Sequence, residues 1–113
     1  AKIEGECFMA IAEAMRNSAP AMAGRALPGP NDYAQIPELA ARGRDRLDHF
    51  LDRFERHMTG REWVATHHFS LADITAAVAL DFAKVLRVDA YDAAHPATAA
   101  WRARLAERPA FSL

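Results

Sequence analysis

The sequence predicts an all-α fold, a single helical domain over residues 1–113 built as a bundle of four to five helices, and three observations support that prediction. There are 26 Ala among the 113 residues against 5 Gly and 6 Pro, while β-branched residues are few, so the composition favours helix over sheet. Apolar residues recur at spacings of three and four in several separate stretches. Proline and glycine stand between those stretches, at positions where helices start and stop. With 51% apolar and 26% charged residues the chain can fill one core and solvate its exterior, which excludes a disordered or collagen-like class.

The first helix is expected from Lys2 to about Met22. Phe8, Ile11, Met15 and Met22 fall within roughly 60° of one another at about 100° per residue and form its expected buried stripe. Glu6, Glu13 and Asn17 lie on the far side, with Met9, Ala12 and Arg16 between the two faces. Pro20 is expected to kink or end this helix and Gly24 to close it. The RALPGPND stretch, residues 25–32, reads as a loop. A second helix starts near Ile36-Pro37, carries Leu47, Phe50, Leu51, Phe54 and Met58 on one face, and ends at Gly60.

Residues 61–69 form a connection with a turn near Thr66 and His67. In Phe69-Ser70-Leu71-Ala72-Asp73-Ile74, Ser70 and Asp73 have the spacing of a capping box, and Phe69 with Ile74 that of a hydrophobic staple. The helix launched there runs to about Leu86 and is apolar nearly all round, so a buried central helix is expected over about 70–87. His95-Pro96 starts a last helix through Trp101 and Leu105, and Arg108-Pro109 stops it; the remaining PAFSL can begin a further short helix.

Charge and cysteine usage narrow the function classes. Fourteen basic and 15 acidic residues leave a net charge of −1, which disfavours a nucleic-acid partner. Cys7 stands alone, so a reducing compartment, the cytoplasm, is the expectation. No run of eighteen apolar residues and no signal-peptide pattern is present, so no membrane partner is expected. The chain begins with Ala rather than Met, which points to a trimmed chain or a piece of a longer one.

Three stretches together resemble the all-helical C-terminal domain of the cytosolic glutathione transferases, in its bacterial form. They are FSLADI (69–74), HPATAAWRARLAERPAF (95–111) and, more weakly, FMAIAEAMRNSAP (8–20) followed by ALPGP. Thr66-His67-His68 departs from the glycine and acidic residue that many members carry before the capping box. The resemblance implies an electrophile pocket and a dimerisation surface, and so a homodimer. It also implies a parent detoxification enzyme that conjugates glutathione, its co-substrate, to hydrophobic electrophiles. In that family the thiolate-stabilising residue belongs to a preceding thioredoxin-like domain. The resemblance therefore assigns no catalytic residue and no cofactor to this chain, which by itself is expected to be inactive. The rival expectation is a non-catalytic protein-interaction module of the same fold.

The resemblance puts part of the opening helix beside the cleft between the two domains, so Met9, Ala12, Glu13, Arg16 and Asn17 are the candidate substrate-binding residues. The plainer alternative packs Met9 against a neighbour and pairs Arg16 with Glu13 on a wet surface. Asp81, in an apolar stretch, needs a partner if it faces inward; Arg16 is expected there, with an outward position beside Lys84 as the alternative. Asp73 reads as a cap rather than a catalyst, Cys7 as a packing residue, and Trp63 and Trp101 as core anchors. The pairs His67-His68 and His49-His57 lack a third ligand at matching spacing, so no metal site is expected.

Overall fold

The structure is a computed structural model that describes residues 2–18 and 34–108. The expectations placed on Pro20, Met22, Gly24, the 25–32 loop and the PAFSL end lie outside the described residues. Four α-helices are present among the described residues, with no strand: α1 (Lys2–Arg16), α2 (Pro37–Met58), α3 (Leu71–Phe82), extended by a 3-10 turn (Ala83–Leu86), and α4 (Pro96–Ala106).

The buried face of α1 differs from the expected stripe. Cys7, Ala10, Ile11 and Ala14 are at most 1% exposed, whereas Phe8 and Met15 are only partly buried at its flanks. The reason is the closeness of α2, which presents Gly43 to this face. A Cβ on Gly43 would stand 2.6 Å from the Ala14 amide nitrogen and 2.7 Å from the Ala10 carbonyl oxygen. Backbones that near leave room only for small side chains between them.

Pro37 opens α2 as expected, at a position where a missing N–H costs nothing. Leu47, Phe50, Leu51, Phe54 and Met58 are its buried face. Past Thr59 the chain takes a positive φ of 79° at Gly60, which glycine tolerates without strain. In the connection that follows, the Thr66 hydroxyl accepts from the His68 N–H at 3.0 Å and makes the predicted turn.

Asp73 is fully buried and accepts from three donors: the Ser70 N–H at Oδ2, and the Val64 N–H and Trp101 Nε1–H at Oδ1, each at 2.9 Å. The capping box is in register, but only its carboxylate half makes a hydrogen bond. Ser70 Oγ faces the Asp73 N–H without bonding geometry, and that N–H goes to the Ser70 carbonyl at 3.0 Å. One side chain thus caps α3, pins the connection and anchors the α4 tryptophan. Phe69 lies edge-on to Trp63, with the Arg108 guanidinium 3.9 Å from its ring centre.

The inner faces of α3 are covered: Ala76, Ala77, Ala79 and Leu80 are at most 3% exposed. The helix is not enclosed on every side, however, because α1 and α4 occupy only two flanks. Leu71, Val78, Phe82 and Val85 form an exposed apolar strip down the third.

α4 begins at His95-Pro96 with no side-chain cap from its own sequence. Glu55, from the last turn of α2, supplies it: its carboxylate accepts from the Ala97 and Thr98 N–H groups and the Thr98 hydroxyl, each at 2.9 Å. Burial works against ionisation of Glu55, but these bonds outweigh it and hold the carboxyl below its usual range. Beside it, His95 meets Asp92 at 2.7 Å and Asp52 of α2 at 3.1 Å. Burial would lower the pKa of this imidazole, yet the two carboxylates prevail and raise it. Trp101 is fully buried with Phe54 edge-on at 5.3 Å, as a core anchor should be.

Candidate functional site

The close crossing of α1 and α2 leaves an open cleft to one side of the Ala10, Ala14 and Gly43 contact. Its volume is about 540 Å3, and it is lined by Phe8, Met9, Ala12, Glu13, Arg16 and Asn17 of the α1 side together with Leu39, Arg42 and Arg46 of α2. All five candidate residues of the first helix therefore share one cavity. A smaller cleft of about 310 Å3, lined by Glu6, Arg46, His49 and Arg53, continues along the same helix pair beyond Arg46.

The five do not stand in equivalent roles. Glu13 takes Arg42 in a two-point bond, Nε to Oε1 at 3.0 Å and NH2 to Oε2 at 2.5 Å, and Arg46 lies 3.7 Å away. The Arg42 guanidinium holds the Glu13 carboxyl below the usual carboxylate range, so Glu13 is ionised and engaged. Asn17 joins the ends of two helices: its Nδ2 donates to the Glu13 carbonyl at 2.8 Å and its Oδ1 accepts from the Ile36 N–H at 3.0 Å. Its polar atoms shape the cleft rim. Gln35 Nε2 donates to the Arg16 carbonyl at 3.1 Å from the same junction.

What the cleft offers a ligand is thus Met9, 63% exposed, the small Ala12, the flanking Phe8 and Leu39, and the head of Arg16. Arg16 does not pair with Glu13, whose oxygens belong to α2, and it does not reach Asp81. Asp81 instead accepts from the Tyr91 hydroxyl at 2.6 Å and from Arg102 at 3.2 and 3.0 Å. Arg102 lies seven residues into α4, the helix that packs beside Asp81, which is why it and not Arg16 answers the charge. Burial disfavours the Asp81 carboxylate, but Arg102 and Tyr91 overcome it and hold its pKa low; burial and then Asp81 push the Tyr91 phenol up.

Neither nucleophilic nor metal chemistry gathers at the cleft. Cys7 is fully buried, its Sγ 3.5 Å from the Ala79 carbonyl, and burial pushes its thiol up to about 12. Among the described residues no three His, Cys, Asp or Glu side chains are placed to hold a metal ion, and no helix is long and apolar enough to cross a membrane. Sequence reasoning missed Arg42 and Arg46 as cleft residues and Glu55 as a cap. The signal for Glu55 was available, since a helix opening His-Pro-Ala-Thr has no acceptor of its own for its first N–H groups.

Compared with known proteins, residues 9–109 match a family model described as the glutathione S-transferase C-terminal domain. No curated protein matches the chain.

Proposed function

Because the chain belongs to the glutathione S-transferase C-terminal domain family, we propose that it is the electrophile-housing and dimer-forming part of a glutathione transferase-like protein. The whole protein, on this reading, conjugates glutathione to electrophilic small molecules in the cytoplasm. The supporting observation is the α1–α2 cleft: Phe8, Met9 and Ala12 of its apolar wall lie on the helix expected to face the electrophile, and Leu39 of α2 completes that wall. Thiol conjugation joins sulfur to an electrophilic carbon and expels a leaving group or moves an electron pair. The part of these residues is to hold the electrophile's apolar body in place and keep water from it, a contribution of proximity rather than of proton transfer. Cys7, protonated and enclosed, takes no share in it.

The test is a conjugation assay with glutathione and a dinitrohalobenzene, run on the 113-residue chain and on the whole product of its gene. We expect turnover by the gene product and none by the chain alone. In the gene product Met9→Ala should raise KM for the electrophile by roughly three- to tenfold, from lost apolar contact, with KM for glutathione unchanged. A gene product without turnover would instead be an interaction module. Turnover by the chain alone would refute the placing of the thiol-activating group outside these residues.

A further inference from the structure

The link from α3 to α4, residues 87–95, is held on two sides. Toward α3 the Tyr91 hydroxyl donates to Asp81 at 2.6 Å; burial, and then the Asp81 carboxylate, push that phenol up, so this hold does not change across the neutral range. Toward α2 the hold is His95, and both its ring nitrogens meet carboxylates. Nδ1 meets Asp92 Oδ1 of the same link at 2.7 Å, and Nε2 meets Asp52 Oδ1 of α2 at 3.1 Å. A carboxylate can only accept, so both contacts are hydrogen bonds only while the ring carries two N–H groups. A neutral imidazole has one, and its bare nitrogen then turns a lone pair on a charged oxygen.

The geometry decides which contact gives way. Asp92 Oδ1 also accepts from the Ala94 N–H at 3.1 Å, and the Asp92 carbonyl accepts from the His95 N–H at 3.0 Å, so the turn itself fixes this acceptor. The Asp52 side chain is 62% exposed against 10% for His95, and water can take the place of the ring on it. The remaining charges round the ring are engaged elsewhere. Glu55 of α2 stays on the Ala97 and Thr98 N–H groups, Asp89 of the link accepts from the Tyr91 N–H, and Asp81 of α3 pairs with Arg102 of α4. The first turn of α4, Pro96-Ala97-Thr98-Ala99, brings no charge.

We propose that His95 is a proton-operated latch between α2 and the 87–95 link, closed while its ring carries two N–H groups and open at Asp52 when it carries one. In the open state the Nδ1–H stays on Asp92, the link keeps its turn and its Tyr91 anchor on α3, and it comes free of α2. Burial lowers the pKa of the ring, but the two carboxylates outweigh it and raise it above 6.5, so the latch is closed below about pH 6.5 and opens as pH climbs through the raised value. It shares no residue with the α1–α2 cleft and works whatever that cleft binds.

The experiment is a nuclear magnetic resonance titration of the 113-residue chain from pH 5 to pH 9, reading the His95 ring nitrogens and the protection of backbone amides against hydrogen exchange. The ring should lose its proton with a midpoint above 6.5 and keep the remaining one on Nδ1. Through the same midpoint, protection of the Tyr91, Ala94 and His95 amides, corrected for the intrinsic pH dependence of exchange, should fall by roughly two- to fivefold, the scale of one partly exposed charged contact. The Ala79 and Leu80 amides of α3 should show no such step. Asp52→Ala, at an exposed helix position where Ala is well tolerated, should leave the link amides at the lower protection at every pH and abolish the step. It should also move the His95 midpoint down by roughly 0.3 to 0.7 in pH, from the lost charge. A proton kept on Nε2, a midpoint at or below 6.5, or link amides whose protection ignores the His95 titration would each overturn the latch in the parent protein, with no variant needed. A step that survives Asp52→Ala would overturn the assignment of the opening to Asp52.

Discussion

Replacing Gly43 by Ala sets two effects of opposite sign against each other. In a helix interior Ala is favoured over Gly by about 1 kcal/mol, so local propensity alone predicts a more stable protein. The new methyl group, however, would stand 2.6 Å from the Ala14 nitrogen and 2.7 Å from the Ala10 carbonyl oxygen, and neither backbone atom can swing aside. To reach ordinary contact at 3.4 Å, α1 must retreat by roughly 0.8 Å, a gap that forfeits about a quarter to a half of each dispersion contact it opens. The whole face of Cys7, Ala10, Ile11 and Ala14 is exposed to that loss. Overpacking costs about 1–3 kcal/mol, and the rigid obstacles place this case in the upper part of the range, so the net loss should be about 2 kcal/mol after the propensity gain. A domain of this size has about 6–17 kcal/mol in hand, so the variant still folds and the loss can be measured by urea unfolding. Gly5→Ala is the control, because nothing lies within 4 Å of its added Cβ; it should be neutral or gain up to about 1 kcal/mol. If Gly43→Ala proves as stable as the parent, the close approach of the two helices is not what shapes α1.

Asp73→Ala strands the Ser70, Val64 and Trp101 donors and should cost about 3–6 kcal/mol in urea unfolding. Asp73→Asn keeps an oxygen for the two donors that share Oδ1 and should cost only about 1–2 kcal/mol; equal losses would mean that the three bonds do not act as described. His95 has a folded-state pKa raised above its ordinary 6.5, so its stabilising contribution is complete below about pH 6.5 and is lost as pH climbs through the raised value. The urea midpoint should therefore fall over that window in the parent and stay level in His95→Gln; parallel slopes in the two proteins would remove His95 as the cause.

The start and end of α2 and the starts of α3 and α4 were readable from the sequence because their causes are local, whereas α1, expected to reach about Met22, ends at Arg16. Pro37, Pro96 and Gly60 act through their own backbone geometry, and the Ser70 to Asp73 spacing needs only one turn of helix to bring its partners together. The buried face of α1 was misread because apolar periodicity gives weight to large side chains. Phe8 and Met15 look like a core stripe, yet a helix that crosses another closely buries its smallest residues. The open strip of α3 escaped for a related reason. An apolar surface says that a helix can be covered, and only the number of neighbours decides whether it is.

Met9, Ala12, Glu13, Arg16 and Asn17 could be grouped in advance because they lie within nine residues of one helix. Their division of labour could not, since it depends on which side of α2 arrives beside them. Five arginines are spread along α2, at 42, 44, 46, 53 and 56, and composition cannot tell which of them faces the cleft. Gly43 decides it. With that residue against α1, Arg42 and Arg46 both fall on one flank, about 100° and 60° round the axis, and Arg44 falls about 100° round on the other. The structure agrees: Arg42 and Arg46 meet Glu13 in the cleft, while Arg44 turns away to donate to the Leu86 carbonyl at 3.2 Å. Glu13 is thereby drawn to α2, and Arg16 is left facing the apolar wall with its charge uncompensated by that carboxylate. The small residue that lets the helices meet also sets the rotation of α2, and through that rotation the charge of the cavity beside the crossing.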